Sequence, residues 1–190
     1  MELKIWARTI LTVQRHIAKV VRALDEIIYK RAISSIFVTT KNLIEQSSEA
    51  VSNFIINVSE AKVNLINLNT ICIDGLKAID KLCAKILILK HIDGRTSAEI
   101  ANLLSISERT YFRRLNKAYD LFADYLDENG FDDQYFMDKF SNEGWIMEVY
   151  YSCKNFFSGK ESGEIFNEID FGFLKGVIKS ISKAAHSSYS

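Results

Sequence analysis

The sequence predicts an all-α protein, and three observations predict it. The chain contains no proline, so nothing in it forces a helix to break. Its apolar residues recur in steps of three and four over long stretches, which is the period of a helix and not of a strand. Its interruptions carry helix start and stop signals, such as Asp93-Gly94 and Asn129-Gly130. At 48 % apolar the chain can bury a real core and is not a disordered composition.

The first helix is marked by Leu3, Trp6, Ile10, Val13, Ile17, Val20, Leu24 and Ile27, nearly four heptads with one apolar seam. Val21 and Ile28 widen the stripe, as a globular bundle requires. The pattern stops at Arg31 and Ser34. A second series runs Ile44, Ser47, Val51, Phe54, Val58, Ala61, Leu65 and Leu68. Two long helices with a polar break near residues 30–41 predict an antiparallel hairpin over residues 1–70. Its seam suits either an internal bundle or a homodimer, since β-branched Ile10 and Ile17 fit the core of a two-stranded coil.

Residues 71–92 read as a third helix, with Leu76, Ile79, Leu82, Cys83, Ile86, Leu89 and Ile92 on its apolar side. Gly94 takes the left-handed conformation that closes a helix. Thr96 followed by Glu99 is a capping box, so a short helix starts there, with Ile100, Ala101 and Leu104 on one face. Ser105 occupies the turn, Ile106 plugs the core, and Ser107 caps a further helix that runs to about Leu126. The segment 96–118 thus has the spacing of a helix-turn-helix, inside a domain of residues 71–128. Residues 131–190 form an acidic, aromatic-rich region of short helices, broken at Gly144, Ser158-Gly159 and Ser162-Gly163, with a frayed tail at 184–190.

Net charge is zero, but unevenly distributed. Residues 77–119 carry nine Lys/Arg against four Asp/Glu, and residues 120–171 carry three against thirteen. The basic block coincides with the helix-turn-helix, the asymmetry that phosphate binding asks for. In the helix after Ser107, Tyr111, Leu115 and Ala118 face inward. Glu108, Arg109, Phe112, Arg113 and Asn116 then face outward, with Thr110, Arg114 and Lys117 on the flanks. The N-terminal turns of such a helix meet base edges and its flanks meet phosphates. Arg109 and Arg113 are the expected base readers, because a guanidinium fork matches two guanine acceptors. Arg114, Lys117 and the hydroxyls of Ser107 and Thr110 are the expected phosphate contacts. Phe112 suits either a thymine methyl or a protein contact.

Residues 79–126, from Ile79-Asp80-Lys81-Leu82 through Lys90-His91-Ile92-Asp93-Gly94 to Ile106-Ser107-Glu108-Arg109-Thr110, resemble the promoter-reading fourth region of bacterial sigma factors. They also resemble the helix-turn-helix of related phage and mobile-element regulators. The resemblance covers about a quarter of the chain and includes the lead-in helix, the Asp-Gly break and both motif helices. It implies a recognition helix reading the major groove through Glu108, Arg109, Phe112 and Arg113. The N-terminal helices lack the aromatic-rich melting element of a whole sigma factor, so the expectation is a sigma-region-four-like module.

No other chemistry is legible. There is no Gly-rich phosphate loop, no His-x-x-x-His pair and no nucleophile elbow, so no enzyme, catalytic residue or cofactor is expected. Cys72, Cys83 and Cys153 lack metal-ligand spacing, and Cys72 and Cys83 lie in apolar helical sequence as small buried hydrophobes. His16, His91 and His186 are scattered; His91 closes a helix, where its cation is favoured. No apolar run approaches the ~20 residues of a spanning helix, and Gln14, Arg15 and His16 interrupt any signal-peptide core. The expectation is a cytoplasmic, sequence-specific binder of double-stranded DNA in transcriptional regulation, with no membrane partner. The alternative is a non-catalytic module that uses the motif to dock proteins. The acidic aromatic region reads as a satellite core, or as a surface for RNA polymerase or a regulatory protein.

Overall fold

A computed structural model describes residues 2–37 and 44–158. Among the described residues every regular element is helical, as predicted: α1 (Glu2–Phe37), α2 (Ile44–Ala78), α3 (Lys81–Leu87) ending in a π turn (Ile88–Ile92), α4 (Ser97–Leu103), α5 (Glu108–Glu128), α6 (Asp133–Phe140) and α7 (Gly144–Phe157). None of these helices is long and apolar enough to cross a membrane. α7 ends at Phe157 with Ser158 as its C-cap, where the sequence predicts a break, while Gly159, the break at 162–163 and the tail at 184–190 lie outside the described residues. The break expected near residues 30–41 is corrected in its first part, since α1 continues through Arg31 and Ser34 to Phe37; residues 38–43 lie outside the described residues.

The described residues fall into two units. Those between His16 and Asn67 form one of them, and in it α1 and α2 run antiparallel. Lys62 pairs with Asp25, and the Arg31 guanidinium lies 5.6 Å from the Phe54 ring centre, so partners descend α2 as they climb α1. The apolar periods predicted this: Ile17, Val20 and Leu24 on one helix and Phe54, Val58 and Leu65 on the other are buried. Ile10 and Val13 continue the α1 seam, equally buried. The seam is therefore covered within one chain.

The other unit takes the described residues up to Arg15 and from Leu68 onward. It corrects the reading of 71–92 as a single helix. Residues 71–78 belong to α2, and a new helix starts after Asp80. The Asp80 carboxylate accepts the backbone N–H groups of Leu82 and Cys83, both at 3.1 Å. An N-cap aspartate satisfies the orphan donors of a helix start, and uninterrupted apolar periodicity had hidden it. Those bonds, that from Cys83 first, hold the Asp80 carboxyl below its usual range.

Gly75 marks where α2 meets α5. A Cβ there would sit 2.7 Å from Phe122 Cε2 and 2.9 Å from Tyr125 Cδ1. The Phe122 ring is fully buried and cannot step aside cheaply. Gly75→Ala is expected to add about 1–3 kcal/mol of overpacking and regain about 1 kcal/mol of helix propensity. A lower thermal midpoint should result; an unchanged or higher one would show that the ring yields freely.

The described part of the aromatic region, residues 131–158, packs as a small core on the start of α1. Trp6 is fully buried, with ring centres 4.9 Å from Phe136 and 4.5 Å from Tyr150. Its Nε1–H donates to Asp133 Oδ1 at 2.7 Å. The Arg8 guanidinium lies over the Phe156 ring at 3.7 Å. Asp132 caps α6 by accepting the Tyr135 N–H, and Asp133 lies in the first turn, where a carboxylate is favoured.

Candidate nucleic-acid interface

The candidate site is the sequence Ile88–Leu126 folded as a turn, a short helix and a long one. The π turn ends with Asp93 N–H donating to the Ile88 carbonyl and Arg95 N–H to the Leu89 carbonyl. Gly94 sits at φ +68°, the left-handed conformation that its lack of a side chain permits. α4 then starts on the capping box read from the sequence. Thr96 Oγ1 accepts the Glu99 N–H, and Glu99 Oε2 accepts the Thr96 N–H at 2.8 Å. The bond from the Thr96 backbone, above all, keeps the Glu99 carboxyl below its usual range.

α4 ends in a tight turn. Ile106 N–H donates to the Ala101 carbonyl, and Ser105 carries φ +53°, the one left-handed non-glycine among the described residues. Ser107 caps α5 by accepting the Thr110 N–H at 3.2 Å, and the two hydroxyls lie 2.9 Å apart. One hydroxyl therefore donates to the other, which leaves one O–H of the pair for an anion.

The faces of α5 match the sequence reading. Tyr111, Leu115 and Ala118 are buried, and so are Tyr119, Phe122 and Leu126. Glu108, Arg109, Phe112, Arg113, Asn116 and Lys117 are exposed, and Thr110 and Arg114 are half-buried. The structure thus gathers all eight predicted site residues on the first three turns of one helix and its cap. Arg114 is less free than expected, because its Nε is enclosed. Lys117 is the more available flank cation. Further along, the helix changes sign: Asp120, Asp124, Asp127 and Glu128 follow, with Lys4 paired to Asp120.

A polar chain missed by the sequence reading holds α5 in place. Tyr119 Oη lies 2.7 Å from His91 Nε2, and His91 Nδ1 lies 3.2 Å from Thr12 Oγ1. Thr12 Oγ1 donates to the Arg8 carbonyl at 2.8 Å, so it accepts from His91 Nδ1–H. The Tyr119 hydroxyl then donates to Nε2, and the imidazole is neutral. No local signal could join residues so far apart in the chain. The expectation that His91 favours its cation is overturned by burial, which pushes its pKa well below 6.5, with Lys90, Arg8 and Arg15 adding to the effect.

Because the folded pKa is lowered, the unfolded chain binds the proton that the folded one refuses. Stability contributed by neutral His91 is complete above pH 6.5 and falls below it, by up to about 1.4 kcal/mol per pH unit. Thermal midpoints from pH 7 to 5 should drop more steeply for the native chain than for His91→Gln; parallel curves would refute this.

Cys72, Cys83 and Cys153 are free and buried. Burial pushes the Cys72 thiol up to about 12 and raises the other two. No group of three or more His, Cys, Asp or Glu side chains among the described residues has the arrangement of a metal site. The chain matches no family model, no curated protein and no solved structure.

Proposed function

We propose that the protein binds double-stranded DNA sequence-specifically, with the N-terminal turns of α5 in the major groove, and serves transcriptional regulation. One observation carries the reading. Arg109, Arg113, Asn116 and Lys117 are exposed together on a helix whose opposite face is anchored by Tyr111, Leu115 and Ala118. A rigid helix presenting forked donors suits base edges. The capped α4 and the resemblance to the fourth region of sigma factors support the same reading. The sign change after Tyr119 limits how the helix can lie, since its acidic half is repelled by phosphates.

Selection of bound DNA from a random pool tests this. The native chain should enrich one motif, and Arg109→Ala/Arg113→Ala should enrich none; no enrichment by the native chain would overturn the proposal. Lys117→Ala should weaken binding to all sequences alike and reduce the slope of log K against log salt by about one. An unchanged slope would remove Lys117 from the phosphate contacts. A second reading, a module that docks proteins, is favoured by Leu103, which is 61 % exposed on α4. Failure of the selection would leave that reading standing.

A further inference from the structure

We infer that Phe112 is a specificity-determining residue that reads the C5-methyl group of thymine in the major groove; this rests on the DNA-binding reading above. The Phe112 side chain is 48 % exposed, while the other outward residues of the same turns, Glu108, Arg109, Arg113 and Asn116, are charged or polar. Its ring is not loose. It meets the ring of Tyr111 edge-on, with centres 5.0 Å apart and planes at 66°, and Tyr111 is fully buried. The phenyl ring thus rests against a buried ring and is otherwise half exposed.

A phenyl ring has no hydrogen bond to offer a base edge. The one apolar feature that bases present in the major groove is the thymine methyl. The surrounding block, nine basic residues against four acidic, favours a polyanion over an apolar protein surface at this position. Phe112 is three positions after Arg109, an axial rise of about 4.5 Å along the helix. Bases on one strand are spaced about 3.4 Å apart. A thymine next to the guanine read by Arg109, or one step beyond it, falls within reach of the ring.

The test uses the full chain and the motif it selects from random DNA. Each thymine of that motif is replaced in turn by deoxyuridine, which removes only the methyl group. One replacement should weaken binding by the native chain about three- to ten-fold, the worth of one or two apolar contacts. The same replacement should leave Phe112→Ala unaffected, and Phe112→Leu should retain part of the discrimination. Moving the methyl to 5-methylcytosine at that position should restore part of the lost affinity. If no uracil weakens binding, or if the loss persists in Phe112→Ala, the inference is overturned while DNA binding stands. If the pool yields no motif, both fall. Phe112 is exposed, so its alanine variant should keep the native thermal midpoint, which separates a lost contact from a lost fold.

Discussion

Replacing both Arg109 and Arg113 by alanine is expected to weaken binding to the selected site between roughly thirty-fold and four orders of magnitude. Each guanidinium that reaches a guanine edge through two hydrogen bonds is worth about 1–3 kcal/mol of discrimination, and each 1.4 kcal/mol is ten-fold in affinity. Both residues lie on the exposed face of α5, one turn apart, so they reach neighbouring bases and not the same one. Affinity for a scrambled duplex should fall much less, because it loses only two charges from the phosphate attraction. The ratio of the two affinities is therefore the quantity to measure, at fixed salt. Exposed side chains without partners change stability by no more than about 0.5 kcal/mol, so thermal midpoints should stay put. Equal losses on both duplexes would show that the arginines hold phosphates and read no bases.

Trp6→Ala is expected to cost about 3–5 kcal/mol of stability, a large part of the roughly 5–15 kcal/mol typical of a domain. The indole is fully buried against Phe136 and Tyr150, and nothing nearby can collapse into its volume without breaking the aromatic stack. It also leaves the Asp133 carboxylate without the indole N–H. Trp6→Phe keeps a ring in the stack but loses the indole N–H and part of the buried volume, so it should cost less, about 1–3 kcal/mol. Chemical denaturation measures both losses. Hydrogen exchange should quicken first in α6 and α7, whose contact with α1 depends on the indole. A loss below about 1 kcal/mol in Trp6→Ala would mean that the aromatic region does not depend on this contact.

The sequence separates the start of α1 from the aromatic region at 131–190, yet the described part of that region, residues 131–158, shares a unit with the start of α1. Local pattern identifies which side chains are apolar: the α1 seam is buried from Trp6 to Leu24, but residues 5–13 are buried on every side, Ala7, Thr9 and Thr12 included, which a one-seam pattern does not reveal. It carries no information on which apolar face meets which, because burial is non-directional and scales with area alone. The same limit explains the helix boundary at Asp80. Ile79 and Leu82 keep the apolar period across the break, and only the carboxylate bonded to Leu82 and Cys83 reveals a restart.

The candidate interface was more legible than the fold around it. Its determinants are short in range: a capping box of four residues, a serine cap, and a helix whose faces alternate with a fixed period. Each is decided by backbone hydrogen bonds between near neighbours. The sequence by itself therefore determined the all-helical class, the limits of α4 and α5, and the outward face with Arg109, Phe112 and Arg113. Only the tertiary structure decided what anchors that face. Tyr119, His91 and Thr12 stand on three different helices, and a buried polar group must find its partner wherever the fold places one. Burial also reversed the expected charge of His91, since desolvation outweighs the attraction of a helix end. The exposed basic face of α5 follows from local chemistry; the neutral histidine that steadies the helix follows from the low-polarity core that three helices enclose.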